Sequence, residues 1–475
     1  MSNFINIEKS SYRDHNSTVC YYKDLVLRKV KKNTDFDFKL FLNSKYFNEN
    51  KDKIVPTKIL NFEKIEKEHH INFDLSNFIW LQHKKIKNIL YPYELCFNQL
   101  KDTAIVYLDL YLKALEHNLE MSDASAYNFQ RLKNKIVLID VSSFVKLKEN
   151  KFFIPHKQFC ENFLAPLCIS AYSGIDFNNL FKSNINGIDL ELASKILPNY
   201  TIFNYQLLTN IHLHSFLNSK ISSVTKKSYD FKKGNKIFSL QNKKLVINNL
   251  KKFIYKIKFK KKTYWSSYSK FNSYNTHSEN YKKHIVTNFV KQQKAKSLID
   301  VGCNNGEYSK IGFKNGINEI LSLDNDMSSL NQVYDYFVNK NIDFNCMYQD
   351  FLNPSSNIGW LNEERKSFKQ RFKNKYDIMI CLAFIHHICI KNNVPLKQFV
   401  DYIFNFSNNI LLEFVPKEDP MVQEMIFNKS SLLENYNLQN LKKIIYKDYI
   451  LINEQNITGT QRTLLHIKKK YNNYK

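Results

Sequence analysis

The stretch Ser297–Ser309, SLIDVGCNNGEYS, decides the fold of this chain. Its first five residues, Ser297–Val301, form a short apolar run of the kind found in buried parallel strands. The loop from Gly302 to Gly306 is built of small residues, and Glu307–Lys314 can form a helix. A strand, a glycine-containing loop and a helix in this order predict the ligand crevice of an open α/β sheet, where the loop lets a ligand approach the backbone closely.

The spacing within the loop restricts the class of ligand that it could bind. A dinucleotide site requires G-x-G-x-x-G, whereas this loop reads D-x-G-x-x-x-G, with Asp300 ahead of the first glycine. A carboxylate there suits a ligand that carries a positively charged amino group. The pattern resembles motif I of the class I S-adenosylmethionine-dependent methyltransferases, in which the loop surrounds the methionine end of the cofactor. A glycine-containing turn in another kind of α/β protein is the alternative.

The resemblance implies which loop residues bind the cofactor. They are Asp300, Gly302, Cys303, Asn304 and Gly306. The family often has glycine at the position of Asn304. Asparagine is the non-glycine residue that best tolerates a left-handed backbone, so this difference is mild.

Asp324 ends the strand-like run Glu319–Leu323 and lies 22 residues after Gly302. A carboxylate about 20 residues after the loop meets ribose hydroxyls in crevices of this type. The resemblance implies that Asp324 and the adjacent Asn325 bind the ribose. Asp326 is the rival for this role, but its position before a helical stretch favours a helix cap.

Asp350 and Phe351 follow a third strand-like run, Asp343–Met347. In the methyltransferase pattern, an acid at this position contacts the adenine amino group, and an apolar neighbour lies against the ring. The resemblance therefore assigns these two residues to the adenine end of the cofactor.

Four later runs complete the predicted sheet. They are Tyr376–Ala383, Asn409–Phe414, Lys443–Leu451 and Arg462–Lys468. The predicted fold class is α/β, with a C-terminal Rossmann-like, seven-stranded methyltransferase domain and an N-terminal α+β domain.

His386 and His387 follow the fourth run, where the acceptor pocket of the family opens. A base matters if the acceptor is a hydroxyl or a protonated amine. Both histidines are therefore candidate catalytic residues. Adjacent side chains point in different directions, so at most one is expected to face the methyl group, and His387 is favoured. Packed histidines are the alternative. The signature [DN]-P-P-[FY] is absent after this run, which argues against an amide or adenine nitrogen as the acceptor.

The chain has 475 residues and a formal charge of +26, which invites a nucleic-acid interpretation. Only six of its 70 basic residues are arginine, and Asn, Ile, Tyr and Phe are plentiful, as an AT-rich genome would encode by default. The charge therefore need not serve phosphate binding. A small-molecule acceptor is favoured over nucleic acid, with an RNA-binding or RNA-modifying methyltransferase as the alternative.

Eight cysteines occur without a C-x-x-C pair, so reduced thiols are expected and no metal site is indicated. No apolar run approaches the ~20 residues of a membrane span, and no signal sequence opens the chain. A cytoplasmic location is expected, and the oligomeric state is left open.

The N-terminal half carries a second pattern. A long helical region is followed by Asp123, by Asn128 and by a strand-like run ending near Asp140. This layout resembles the catalytic loop of the kinase-like phosphotransferase fold, in which the first Asp handles the acceptor hydroxyl and the other two residues hold magnesium. Arg28 and Lys29 are both candidates for the cation on the third strand. No glycine-rich phosphate loop is visible, and capping roles for the three residues are the alternative.

The predicted domains are residues 1–235, an N-terminal α+β domain that resembles the kinase-like fold; 236–283, a basic linker and lid segment; and 284–475, the methyltransferase domain. The lysines of 250–262 favour a solvated connector over a phosphate-binding face. Trp265, Tyr268 and Tyr274 are candidates either for a lid or for packing at the domain junction. A methyltransferase with an N-terminal extension of this length resembles bacterial nodulation-type proteins. A nucleotide-binding or phosphotransferase module fused to a methyltransferase is a further alternative.

Overall fold

A computed structural model describes residues 5–32, 36–61, 74–147, 153, 155–216, 239–261, 263, 276–426 and 435–470. The chain divides into two compact units. The first unit is Met1–Lys260 with Asn357–Arg365, and the second is Lys261–Ser356 with Lys366–Lys475. Both contain helices and strands, so the predicted α/β class is confirmed. The predicted domain boundaries stay predictions, and the lid candidates Trp265, Tyr268 and Tyr274 lie outside the described residues.

The first unit contains a five-stranded antiparallel sheet and two short strand pairs. The sheet has the order β1-β2-β3-β5-β4, and the short pairs are β6 with β9 and β7 with β8. The strands are β1 (Asn6–Ile7), β2 (Ser17–Tyr22), β3 (Leu25–Lys31), β4 (Thr57–Ile59), β5 (Phe78–His83), β6 (Leu119–Met121), β7 (Phe129–Leu132), β8 (Lys135–Leu138) and β9 (Phe144–Lys146).

The described α-helices of the first unit are one long helix and eight shorter ones. They are α1 (Phe38–Asn43), α2 (Lys45–Glu49), α3 (Phe97–Glu116), α4 (His156–Phe159), α5 (Ala165–Cys168), α6 (Phe177–Ser183), α7 (Leu190–Ile196), α8 (Tyr205–Leu207) and α9 (Leu240–Lys256). The helix α3 buries apolar residues at helical spacing, among them Leu100, Ala104, Tyr107 and Tyr111. The ring of Tyr107 stacks on that of Phe159 at 5.4 Å, which anchors α3 in an aromatic core.

The helix α9 lies within the segment predicted as a basic linker, yet it is part of the first unit. It begins after Ser239, whose side chain accepts a hydrogen bond from the backbone of Asn242. On its buried face, the ammonium of Lys243 lies 2.9 Å from the carboxylate of Glu120, and both side chains are almost fully buried. A solvated connector is therefore not what this helix forms, because its apolar face is packed.

The second unit is organised around a seven-stranded sheet. The strands are β10 (Ser297–Val301), β11 (Glu319–Asp324), β12 (Asp343–Tyr348), β13 (Ile378–Cys381), β14 (Asn409–Phe414), β15 (Tyr449–Asn456) and β16 (Thr463–Lys469). Their order is β12-β11-β10-β13-β14-β16-β15. The first five are parallel neighbours, and β16 pairs antiparallel with β14 and β15. The central strand β10 is buried along its whole length, as its apolar sequence predicts.

Described helices of the second unit connect these strands. They are α10 (Thr276–Gln293), α11 (Glu307–Lys314), α12 (Met327–Phe337), α13 (Phe368–Phe372), α14 (Ile385–Cys389), α15 (Leu396–Ile403), α16 (Pro420–Ile426) and α17 (Leu438–Asp448). The strand predicted over Lys443–Leu451 is wrong for its first six residues, which belong to α17. Asn437 caps this helix, and Leu441 and Ile445 are buried four residues apart, so a helical period prevails.

The segment Asn357–Arg365 leaves the second unit after β12 and belongs to the first unit. Its residue Glu364 is buried, accepts a hydrogen bond from the hydroxyl of Tyr12 at 2.9 Å and pairs with the guanidinium of Arg13. Arg365 lies 4.2 Å from the ring centre of Tyr127. The domain boundaries predicted from the sequence did not include this excursion.

The eight cysteines, all within the described residues, form no disulfide bonds, and seven of them are buried. Within the described ranges, none of the helices combines the length and the apolarity that crossing a membrane would need.

Candidate active site at the ends of the parallel strands

A cavity of about 350 Å³ lies in the second unit, at the carboxyl ends of the parallel strands. This is where open α/β sheets bind ligands, because the loops that follow the strands diverge there. Its volume is within the range of small-molecule sites. Its walls include Lys282, Gly302, Cys303, Asn304, Tyr308, Asp324, Asn325, Asp350, Phe351, Ala383, Phe384, His387 and Lys391.

The glycine loop forms one wall of the cavity. Gly302, Asn304 and Gly306 all have positive φ angles, of 67°, 47° and 76°. A Cβ atom added at Gly302 would lie 2.8 Å from the ring of Phe384, so the loop and the segment after β13 touch where a side chain would not fit. The backbone N–H of Asn304 donates to the carboxylate of Asp324 at 2.8 Å. The loop is thus held by the end of the neighbouring strand.

Asp324 is the carboxylate at the centre of the cavity wall. Its two oxygens accept backbone N–H groups, from Asn304 at 2.8 Å and from Asp326 at 3.0 Å. Burial raises the pKa of Asp324 to about 6, although these hydrogen bonds act in the opposite direction. A carboxylate in this position can accept hydrogen bonds from ligand hydroxyls. Asp326 accepts the N–H of Ser329 at 2.7 Å, so its predicted role as a helix cap is confirmed.

Asp300 is a buried carboxylate near the end of β10. It is 1% exposed and is not among the residues that line the cavity. Its carboxylate accepts the hydroxyl of Ser309 at 2.6 Å, and Ser309 also meets the hydroxyl of Ser322 at 2.7 Å. Burial raises the pKa of Asp300 to about 7. These contacts tie β10 to the start of α11, and the contact of Asp300 with a ligand amino group stays a prediction.

Gly306 also stands apart from the cavity. It is buried, does not line the cavity and begins α11 in a left-handed conformation. A Cβ there would meet Val333 at 3.0 Å. The glycine therefore allows the close approach of α11 to α12, and its contact with the cofactor stays a prediction.

Asp350 and Phe351 line the opposite part of the cavity. The carboxylate of Asp350 accepts the N–H of Leu352 at 2.8 Å, which fixes the turn after β12. The ring of Phe351 makes an edge contact with the ring of Phe384, with centroids 5.3 Å apart. Together these two rings form an apolar wall against which a flat ligand ring can lie.

Of the two candidate histidines, His387 lines the cavity, whereas His386 is buried and does not. Burial lowers the pKa of His387 to about 4 and that of His386 to about 2. Both imidazoles are therefore neutral at neutral pH. His387 can accept or donate a hydrogen bond to a ligand, but with this pKa it is a weak proton acceptor.

Sequence reasoning missed a buried ion pair in the wall of the cavity. The ammonium of Lys282, on α10, lies 2.6 Å from the carboxylate of Glu413 on β14. Glu413 also accepts the backbone N–H of Ala383 at 2.8 Å and lies 3.5 Å from the guanidinium of Arg462. Burial lowers the pKa of Lys282, and Glu413 opposes this shift. The available signal was a lysine on the apolar face of α10, together with Ile285, Val286 and Phe289.

A second polar cluster lies in the first unit, where the kinase-like pattern predicted one. The amide of Asn128 donates to Asp123 at 2.7 Å, and the guanidinium of Arg28 lies 2.8 Å from Asp140. Burial, followed by the nearby charge of Asp140, raises the pKa of Asp123. The two aspartates and Asn128 are thus brought together. Lys29 instead lies 5.1 Å from the ring centre of Phe78, so Arg28 is the cation that faces the cluster.

The capping interpretation of these residues also has support. Asp140 accepts the N–H of Ser142 at 3.0 Å, and Asp123 accepts the N–H of Ser125 at 3.0 Å. These bonds coexist with the contacts inside the cluster, so local caps alone do not account for the geometry.

The second unit is an open, mainly parallel α/β sheet with a cavity at the carboxyl ends of its strands, the place where α/β proteins of this class bind ligands. No family model matches the chain. Over 456 residues the chain is 29% identical to nodulation protein NoeA of Rhizobium meliloti (strain 1021). The aligned region covers 96% of this chain and 94% of that protein. The resemblance to nodulation-type proteins is confirmed.

Solved structures of methyltransferases show weak similarity to part of the chain. The N-methyltransferase NodS from Bradyrhizobium japonicum WM9 has a TM-score of 0.31 and 6% identity, over 42% of this chain and 99% of that one. An O-methyltransferase described as putative, from Nostoc punctiforme PCC 73102, has a TM-score of 0.31 and 14% identity, over 43% of this chain and 60% of that one. TM-scores of this size do not show a common fold.

Proposed function

We propose that this chain is an S-adenosylmethionine-dependent methyltransferase whose reaction takes place in the cavity of the second unit. One observation carries the proposal. The glycine loop, Asp324, and Asp350 with Phe351 come from the ends of three neighbouring parallel strands and line one cavity. Each is the residue type that the sequence resemblance assigns to one part of the cofactor.

The cavity residues fit the chemistry of this cofactor. The carboxylate of Asp324 would accept the ribose hydroxyls, Asp350 would meet the adenine amino group, and the ring of Phe351 would lie against the base. Because Gly302 has no side chain, the loop and the ring of Phe384 can lie in contact in the cavity wall. When bound, the cofactor supplies a methyl group already activated on a sulfonium.

The residues of the chain contribute orientation around the acceptor. Placing the nucleophile close to the methyl and in line with the breaking bond is worth several kcal/mol. Glu413 fixes the segment after β13 through the N–H of Ala383, and this segment carries His387 to the cavity. We propose that His387, as a neutral imidazole, hydrogen-bonds the acceptor, which is a small molecule. His386 would support the ring of its neighbour, with ring centres 4.2 Å apart.

Calorimetric titration with S-adenosylhomocysteine tests the proposal. Asp324→Ala should weaken binding at least tenfold, because hydrogen bonds between hydroxyls and a charged group contribute about 1.5–3 kcal/mol each. Asp326→Ala is the matched control, because it removes a carboxylate two residues away that caps α12 and does not line the cavity. This control should lose stability but keep its affinity. Equal affinity of Asp324→Ala and wild type would remove the ribose assignment, and failure of wild type to bind would overturn the function.

Nucleotide binding in the first unit is a second candidate function. The contacts Asn128–Asp123 and Arg28–Asp140 favour it, because the kinase-like resemblance assigns these acidic and amide groups to an acceptor hydroxyl and to magnesium. Magnesium-dependent binding of ATP that Asp140→Ala abolishes would support this function, and calorimetry without any magnesium-dependent heat would remove it.

An RNA-binding role has less support. The lysines of the described part of 250–262 include Lys251, whose ammonium pairs with Asp109. This pairing neutralises part of the charge that phosphate binding would use. Nucleic acid remains an alternative acceptor that no observation in the described residues favours.

A further inference from the structure

The ammonium of Lys282 is a buried cation in the wall of the candidate cofactor cavity. Three lysines line this cavity: Lys282, Lys283 and Lys391. Lys391 is exposed, and the side chain of Lys283 is one-third exposed and paired with Glu279. Lys282 is 2% exposed. A cation that is already removed from water binds an anionic ligand group more strongly than a solvated one does, because screening is weaker there.

The position of Lys282 points to one end of the cavity. Its ammonium lies 5.3 Å from the ring centre of Tyr308, in the first turn of α11, directly after the glycine loop. Asp350 and Phe351 follow the edge strand β12, two strands away from β10 in the sheet. Lys282 therefore lies beside the loop that the proposed function assigns to the methionine end of the cofactor.

The acidic side chains of the cavity favour a cation at the position of the ligand carboxylate. Four carboxylates line the cavity: Glu279, Glu307, Asp324 and Asp350. The methionine end of the cofactor carries a carboxylate of its own, which these groups would repel. A buried cation among them can offset this repulsion where the ligand carboxylate lies.

Glu413 holds the ammonium of Lys282 in place, and the same ammonium can also bind a ligand. The Lys282–Glu413 distance is 2.6 Å, and Glu413 is further held by the N–H of Ala383 and the guanidinium of Arg462. An ammonium carries three N–H donors, so one group can serve Glu413 and a ligand carboxylate at the same time. Arg462 is fixed in turn by Asp419, at 2.7 Å and 3.0 Å.

From this geometry we infer that Lys282 is the residue that binds the carboxylate at the methionine end of the cofactor, and that Glu413 is its positioning residue. The inference rests on the proposed function, since it names a contact within the same site. It assigns a role to a helix that precedes the glycine loop and that no motif in the sequence marks.

Two ligands that differ at the amino-acid end separate this role from a structural one. S-adenosylhomocysteine carries the carboxylate, whereas 5′-methylthioadenosine keeps the adenosine and lacks the amino-acid group. In calorimetric titrations, Lys282→Met should weaken S-adenosylhomocysteine about 10- to 100-fold, the loss of one hydrogen bond between charged groups. Its affinity for 5′-methylthioadenosine should be unchanged. Lys282→Arg, which keeps the charge, should recover part of the lost affinity.

Controls keep the inference separate from folding and from the proposed function. Lys243→Met breaks the other buried Lys–Glu pair, in the first unit, and should leave the affinity for both ligands unchanged. If Lys282→Met does not fold, the double variant Lys282→Met/Glu413→Gln removes both charges together and is titrated instead. Equal losses for both ligands would overturn the role of Lys282 and leave the proposed function standing. Failure of wild type to bind either ligand would overturn both.

Discussion

Asp324 in the second unit and Asp140 in the first each lie at or just after the end of a β-strand, but their carboxylates have different neighbours. Asp324 is held by backbone N–H groups and lines a cavity. Asp140 is held by the guanidinium of Arg28 and by Ser142. The first arrangement leaves a negative charge facing a space that can hold a ligand, and the second balances it with a cation of the same chain.

The comparison teaches that the position of a carboxylate after a strand does not by itself determine whether its charge raises or lowers the stability of the fold. In the first unit, the charge of Asp140 is paired, so removal of its cation would leave an uncompensated charge in the protein interior. In the second unit, burial raises the pKa of both Asp300 and Asp324, so their ionised forms cost stability. A site that holds unbalanced charge for a ligand is expected to reduce the stability of the free protein.

The largest expected effect on stability comes from a variant that breaks the Arg28–Asp140 ion pair. Arg28→Met leaves the carboxylate of Asp140 without its cation in a setting where the two side chains are 8% and 17% exposed. We expect the free energy of unfolding to fall by about 3 kcal/mol, as for other ion pairs that lose one partner in a protein interior. Urea unfolding followed by tryptophan fluorescence, to which Trp80 in β5 contributes, measures the change.

The neighbouring variant Lys29→Met is the control for this experiment. Lys29 lies on the same strand, but its ammonium lies over the Phe78 ring, 5.1 Å from the ring centre. Its loss should cost less than about 1 kcal/mol. Similar losses for the two variants would mean that the Arg28–Asp140 pair does not stabilise the first unit.

A smaller effect of opposite sign is expected for Asp300→Asn. The folded-state pKa of Asp300, about 7, is above the usual value of 3.8. Between these values the folded form binds a proton that the unfolded form has lost, so wild type loses stability as pH rises through this window. The asparagine does not titrate. We therefore expect the variant to gain on wild type by about 2 kcal/mol between pH 5 and pH 8, measured by urea unfolding at each pH.

Ser309→Ala shows whether this pH dependence belongs to the carboxylate. It removes the hydroxyl that donates to Asp300 and leaves the titrating group in place. The pH slope of wild type should therefore persist in this variant. A difference between Asp300→Asn and wild type that does not change with pH would show that the buried charge has no cost.

Sequence patterns were sufficient for the residues that lie on consecutive strand ends. Parallel strands bring their carboxyl ends to one edge, so a short strand pattern places Gly302, Asn304, Asp324 and Phe351 in one region. The same reasoning did not show which face of the sheet Asp300 occupies. A residue on a fully buried strand points to one face or the other, and the apolar run around it does not tell which.

Contacts between distant residues were beyond the reach of these patterns. The pairs Lys282–Glu413 and Lys243–Glu120 join residues 131 and 123 positions apart. Each lysine does stand on the apolar face of a long helix, and that anomaly marks a buried partner without identifying it. The kinase-like interpretation likewise could not choose between Arg28 and Lys29, because adjacent strand residues face opposite sides and only the packed sheet settles which side is inside.

The excursion Asn357–Arg365 has a practical consequence for experiments on half of this protein. A fragment that begins at Lys261 retains Glu364 but lacks Tyr12 and Arg13, the groups that satisfy its carboxylate. A fragment that ends at Lys260 has the converse defect. Cutting the gene once therefore yields two damaged products, and a clean dissection requires the nine-residue excursion to be replaced in one piece and supplied to the other.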